Sequence, residues 1–165
     1  MDYKTEPLSS SHDKSSFSSG IDALDNYLKK QANQDQKRRL AVCFVYQKEG
    51  CVLCYYTLSS NSLRKASFPK SISKKWPPSY ENIPTTLIGR FAVDARLQGQ
   101  GISKILLVDA LRRSYQISKS VGSAAVCVDP KNESAKQFYK KLGFITLPSS
   151  GKMILPMKVI ASVIK

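Results

Sequence analysis

A glycine-rich turn set between a strand-like run and an amphipathic segment constrains this chain most. Thr86 to Val93 reads as a β-strand, and Gly99 and Gly101 fall in a tight turn after it. Ile102, Ile105, Leu106, Ala110 and Leu111 then mark a helix to about Ile117. A strand, turn and helix in this order gather the unbonded N–H groups of a helix N-terminus, which together with the helix dipole favour phosphate. Glycines let the backbone approach the anion with no Cβ in the way. The turn lacks the Lys-Ser/Thr ending of a nucleotide P-loop and the full G-x-G-x-x-G of a dinucleotide fold. By itself it also fits a simple strand-to-helix connection.

The rest of the chain reads as mixed α/β. Ile21, Leu24, Leu28 and Ala32 predict a helix from Ile21 to about Gln34, with Ser19 and Asp22 resembling a capping box. Leu40–Tyr46 and Cys51–Leu58 read as a hairpin turning at Lys48-Glu49-Gly50. Residues 59–85, interrupted by Phe68-Pro69, Trp76-Pro77-Pro78 and Ile83-Pro84, cannot be one regular element, and so long a connection is usually functional or mobile. Ala124–Val128 reads as a short buried strand, and Asn132 as the N-cap of a helix carrying Ala135, Phe138, Tyr139 and Leu142 on one face and closed by Gly143. Phe144–Leu147 and Met153–Val159 read as final strands. The length of 165 residues fits one domain, expected at 18–165 behind a polar, Ser-rich tail at 1–17. That tail has no apolar core of a secretory signal, and no stretch approaches a membrane span, so a cytoplasmic protein without membrane contact is expected.

Charge is the strongest global feature. Lys and Arg number 26 against 12 acidic residues, a net charge of +14, which predicts attraction to polyanions. The excess is clustered: Lys29, Lys30, Lys37, Arg38 and Arg39 form one group, and Arg64, Lys65, Lys70, Lys74 and Lys75 form another beside Trp76 and Tyr80. Basic residues beside aromatics suit phosphates and stacked bases. Of the four cysteines, Cys51 and Cys54 stand at C-x-x-C spacing. There is no second pair, and the one histidine is His12 in the expected tail, so buried thiols are the better account and no metal is expected.

Two further signatures carry a resemblance. The strand Leu87-Ile-Gly-Arg-Phe-Ala-Val-Asp94 followed by Arg96-Leu-Gln-Gly-Gln-Gly101 resembles the acetyl-CoA loop of the GNAT acetyltransferase superfamily. Asn132-Glu-Ser-Ala-Lys-Gln-Phe-Tyr139-Lys-Lys-Leu-Gly-Phe144 resembles its second signature. Ser103 departs from the glycine many relatives have. The resemblance implies an α/β GNAT fold with a splay between two strands of a mixed central sheet, flanked by helices. Acetyl-CoA would lie there, its pantetheine arm along Phe91, Ala92 and Val93. Its pyrophosphate would rest on amides around Gln98, Gly99, Gln100, Gly101, Ile102 and Ser103, with Arg96 at the phosphates and Asn132 and Phe138 among the cofactor contacts. Tyr139 would be the general acid beside the sulfur, and a backbone N–H near Phe91–Val93 would meet the oxyanion.

Gly20-Ile-Asp-Ala-Leu-Asp-Asn-Tyr-Leu28, Tyr55-Tyr-Thr-Leu-Ser59 and Ile83-Pro84 narrow this to the TacT/AtaT-like toxins of bacterial toxin–antitoxin modules. That resemblance implies acetylation of the α-amino group of aminoacyl-tRNA, blocking translation, a ribbon-helix-helix antitoxin, operator DNA contacted only through the antitoxin complex, and a homodimer. Lys29, Lys30, Arg38 and Trp76 are candidates for tRNA contact, and Arg90 either faces the substrate or makes a structural ion pair. An α-amino group titrates near 7.7–8, so a dedicated base is less necessary than for lysine. Asp94 is a base candidate by position only, and a water chain serves as well. Two other readings remain: a GNAT enzyme acting on a protein N-terminus or small amine, and a catalytically silent basic nucleic-acid-binding domain with acetyl-CoA as ligand.

Overall fold

In the computed structural model, which describes residues 4–164, strands and helices alternate as a mixed α/β chain. The strands are β1 (Glu6–Pro7), β2 (Val42–Lys48), β3 (Cys51–Arg64), β4 (Asn82–Val93), β5 (Ala125–Val128), β6 (Ile145–Thr146) and β7 (Met153–Pro156). They form a sheet in the order β1-β2-β3-β4-β5-β7-β6, with β4 and β5 parallel. The helices are α1 (Asp22–Asn26), α2 (Ala32–Lys37), α3 (Lys70–Ser73), α4 (Ile102–Ser118), α5 (Glu133–Lys141) and α6 (Met157–Val163). The chain divides into two compact units, residues 1–59 with 88–113 and residues 60–87 with 114–165. Each has its own buried cluster.

In the first unit, β2 and β3 form the expected hairpin, Lys48 facing Cys51 across a two-residue turn. Glu49 and Gly50 both take positive φ, 53° and 85°, the geometry that matches the twist of a tight hairpin. Side chains alternate across β3, so Tyr55 and Tyr56 serve opposite faces. Tyr55 packs with Phe17, Tyr27 and Leu28. Tyr56 stacks near Phe44, and its hydroxyl donates to Asp109 of α4 at 2.6 Å. A single π-helical turn, Tyr27–Gln31, joins α1 to α2 in one run, with Tyr27, Leu28 and Ala32 buried beneath it.

Several expectations need correction. The described part of the expected tail belongs to the fold. Glu6 and Pro7 pair with Val45 and Phe44 of β2, and Leu8 and Phe17 are buried at 3% and 1% exposure. Two isolated apolar residues in a Ser-rich stretch carry no periodicity, so only the tertiary partners reveal them. Ser19 makes no capping box: its N–H and hydroxyl both donate to Asp25, at 2.9 and 2.7 Å. β3 runs on to Arg64 and β4 begins at Asn82, so the connection between them is shorter than expected and includes α3. In the second unit the final strand stops at Pro156, and Met157–Val163 is helix, with Pro156 as its N-cap. Met157 and Ile160, three residues apart, are its buried positions.

Candidate active site

The glycine turn lies in the first unit, directly between β4 and α4. Ala95–Leu97 forms one 3₁₀ turn, and Gly99 and Gly101 then take φ of 80° and 77°, which β-carbon-bearing residues rarely adopt. A Cβ at either glycine would meet nothing within 4 Å, so their requirement is conformational and the space above them is open. Gln98 through Gly101 are exposed, and α4 begins at Ile102. Its first N–H groups have no acceptor within their own helix, and the positive end of the dipole lies at the turn. This is a cradle for an anion. Lys104 and Arg96, both exposed, add positive charge around it.

The turn is held from beneath by a carboxylate. Asp94 is 2% exposed and accepts four hydrogen bonds: from the Arg96 amide at 2.9 Å, Arg96 Nε at 2.8 Å, Arg96 Nη2 at 3.0 Å and the Ser18 amide at 3.0 Å. The Ala95 amide donates back to the Ser18 carbonyl at 2.8 Å. Gln98 Nε2 bridges the carbonyls of Ser19 and Val93, at 2.8 and 2.9 Å, so its side chain fastens the turn while its backbone remains in it. Burial pushes the Asp94 carboxyl up, but the Arg96 and Ser18 hydrogen bonds outweigh it and hold the group down at about 2. A carboxylate so committed has little affinity for an amine proton at neutral pH, and its hydrogen bonds make Asp94 a brace for the turn. The sequence pattern did not reveal this brace. Its only signal is Val93-Asp94 ending a strand just ahead of an arginine.

Upstream, residues 88–93 of β4 belong to the first unit, where β4 follows β3 in the sheet order. Ala92 and Val93 are buried at 4% and 6%. Arg90 makes a contact outside both expectations. Its guanidinium lies 4.0 Å from the ring centroid of Tyr27, whose hydroxyl donates to Asp35 at 2.8 Å. That stacked site can contribute on the order of 0.5–2 kcal/mol.

In the second unit, Asn132 Oδ1 accepts from the Ala135 amide at 2.8 Å and caps α5 as predicted. At the other end Gly143 has φ of 99°, the Phe144 amide donates to the Tyr139 carbonyl and the Gly143 amide to that of Lys140, a Schellman closure. The reversal returns Phe144 to Tyr139, their rings 5.2 Å apart, with Phe138 equally near on the other side. The closure thus brings the Phe-Tyr and Leu-Gly-Phe portions of the signature into contact. Tyr139 is 7% exposed, and burial pushes its phenol up to about 12. Within its unit, among the described residues, its hydroxyl has no hydrogen-bond partner. It is therefore a protonated donor across the neutral range.

The basic groups are exposed. Lys29, Lys30, Lys37, Arg38 and Arg39 stand on and just after the helical run of the first unit. Arg64, Lys70, Lys74 and Lys75 surround α3 in the second. Trp76 is half-buried against Phe68, ring centroids 4.9 Å apart, and is anchored in that unit's cluster. Burial pushes Cys43 and Cys54 to about 12 and Cys127 to about 11, so these thiols are inert packing groups. Among the described residues no cluster of three metal-ligating side chains exists, and no helix is long and apolar enough to cross a membrane.

Comparison with known proteins agrees with this geometry. The family described as the acetyltransferase (GNAT) domain matches residues 40–146. A protein of Mycobacterium tuberculosis named as a tRNA-acetylating toxin is 34% identical over 142 residues, covering 86% of this chain and 84% of that protein. The solved structure of AtaT complexed with acetyl-methionyl-tRNA superposes with a TM-score of 0.90 at 32% identity, covering 99% of this chain and all of that one (100%). A mutant AtaT toxin bound to the C-terminus of the antitoxin AtaR and acetyl-CoA superposes with a TM-score of 0.81 at 28% identity, covering 97% and 96%. With its glycine turn, its Phe-Tyr helix and these near full-length likenesses, the chain belongs to the GNAT acetyltransferases and, within them, to the TacT/AtaT-type toxins.

Proposed function

We propose that this chain is the toxin of a toxin–antitoxin module and transfers acetyl from acetyl-CoA to the α-amino group of aminoacyl-tRNA. The observation that carries this is the likeness, over nearly the whole chain, to a toxin solved with acetylated methionyl-tRNA. The residues fit the donor. A braced glycine turn with open space above it offers backbone N–H groups to a pyrophosphate, and the strand at Phe91, Ala92 and Val93 would run beside the pantetheine arm. Acetyl-CoA supplies the acetyl group as an activated thioester.

The remaining work falls to this chain's groups. Amides of Gln98 to Ser103 hold the phosphates, and a backbone amide of the strand near 91–93 stabilises the developing negative charge. Tyr139 Oη holds the proton destined for the leaving sulfur and donates it as the carbon–sulfur bond breaks. The ester of the incoming aminoacyl group withdraws electrons and lowers its α-amine below the ordinary value of about 7.7–8, so the amine is largely neutral at cell pH and has little need of a dedicated base. The +14 charge and the two exposed basic groups, with Lys29, Lys30 and Arg38 in one and Trp76 beside the other, attract the tRNA backbone. Arg90, held against Tyr27, supports the strand next to the site. An antitoxin of ribbon-helix-helix type, operator DNA reached through it, homodimerisation and a strand splay holding the pantetheine complete the reading.

The test is transfer of labelled acetyl from acetyl-CoA to bulk charged tRNA, with Tyr139→Phe alongside. Label in the aminoacyl-tRNA fraction, strongly reduced by the substitution, is the expected result. Acetyl-CoA binding without any transfer to charged tRNA refutes it and directs attention to peptide amines.

A further inference from the structure

Thr57 belongs to the Tyr55-Tyr-Thr-Leu-Ser59 stretch, and nothing above gives it a task. It is 1% exposed on β3, and its Oγ1 accepts the Arg90 N–H of β4 at 3.0 Å. Gly89 presses on the same atom: a Cβ there would stand 3.1 Å from Thr57 Oγ1, tighter than ordinary contact. The approach of the two strands at this point therefore needs a glycine on one and a hydroxyl on the other. Arg90 is fixed a second time through its side chain, over Tyr27. The next three residues are Phe91, Ala92 and Val93, the stretch of β4 that the proposed reaction places beside the thioester.

We propose that Thr57 is a positioning residue for acetyl transfer: by holding the Arg90 amide it sets the tilt of the Phe91–Val93 stretch of β4. This rests on the reading of the chain as an acetyl-CoA-dependent transferase. A donor aimed at developing charge is useful only when placed to a fraction of an ångström, and a backbone N–H is aimed by its own strand. The phosphate turn is braced separately, by Asp94 and Gln98, so loss of the Thr57 hydroxyl should disturb the reacting end of the donor and spare its grip at the phosphates.

The experiment measures kcat and the KM for acetyl-CoA with charged tRNA as acceptor, for wild type, Thr57→Val and Thr57→Ser. Valine should lower kcat about tenfold or more, with KM within about threefold, while serine stays close to wild type. Hydrogen exchange at the Arg90 amide should accelerate with valine and remain protected with serine. Valine with kcat within about twofold of wild type, or serine as impaired as valine, overturns the proposal. If valine does not fold, Gly89→Ala is the second variant. Its methyl displaces the hydroxyl, so kcat should fall while the KM for acetyl-CoA stays within about threefold. A fully active Gly89→Ala would overturn the proposal. Wild-type protein that binds acetyl-CoA yet transfers nothing overturns the transferase reading as well, whereas active wild type with unaltered variants sinks this proposal alone.

Discussion

Asp94→Asn should weaken both the fold and the hold on acetyl-CoA. The folded carboxyl sits at about 2 against an ordinary value of 3.8. At about 1.36 kcal/mol per unit this difference corresponds to roughly 2 kcal/mol at neutral pH. Its partner Arg96 has a side chain 56% exposed, and solvent screening trims the figure to about 1–2 kcal/mol. Because the folded value lies below the unfolded one, this stability is fully present above about pH 4 and disappears as pH falls through 3.8 toward 2. Asparagine keeps one acceptor oxygen but turns an NH2 toward a guanidinium. The expected drop in Tm at pH 7 is about 2–8 °C, shrinking as the pH approaches 3. With the turn loosened from Ser18 and Arg96, the KM for acetyl-CoA should rise about five- to tenfold, with kcat much less affected. Calorimetry across pH and steady-state kinetics check both. An unchanged Tm and KM would refute the brace. Loss of kcat alone, with loss of a basic limb in the pH–rate profile, would restore Asp94 as a base.

Tyr139→Phe should lower kcat by about 10²–10⁴ while acetyl-CoA binding, read by calorimetry, persists. With its phenol pushed up to about 12, Tyr139 remains protonated through the assay range, so the rate should rise as the substrate amine loses its proton below the ordinary α-amine value of about 7.7 and hold level to about pH 10. Gly99→Ala and Gly101→Ala each force a β-carbon into positive φ, costing about 1–2 kcal/mol, and should appear as weaker acetyl-CoA binding. Replacing Lys29, Lys30 or Arg38 with glutamine should weaken tRNA binding uniformly across charged tRNAs. Its log–log salt dependence should flatten by about one for each phosphate no longer neutralised, measured by filter binding at several salt concentrations.

Much of the site was legible because its parts are local. A positive-φ glycine turn between strand and helix, an Asn cap and a Gly-Phe closure involve residues a few positions apart, and their side-chain types are dictated by backbone geometry. Gly99, Gly101, Asn132 and Gly143 all stand in the conformations their sequence context predicts. The parts that were not legible join distant residues. Ser18 and Asp94 are 76 positions apart, Gln98 and Ser19 79, and Arg90 and Thr57 33. The expected tail at 1–17 concealed Leu8 and Phe17, and a polar residue in a Ser-rich stretch has no period that reveals its partner, so Ser18 and Ser19 were not linked to the turn.

The sequence by itself determined the class of the central elements, the anion-binding turn, the phenol on its helix and the basic character of the surface, because each follows from composition, periodicity or backbone conformation over a short span. Only the tertiary structure decided what the polar residues beside that turn do. Asp94 is a brace because burial deprives it of water while Arg96 and Ser18 fill its lone pairs. Arg90 is held because Tyr27 lies beneath it, and Thr57 is a strand's hydrogen-bond partner because Gly89 lets the two chains close. Titration and hydrogen bonding depend on neighbours in space, and those neighbours exist only once the chain has folded.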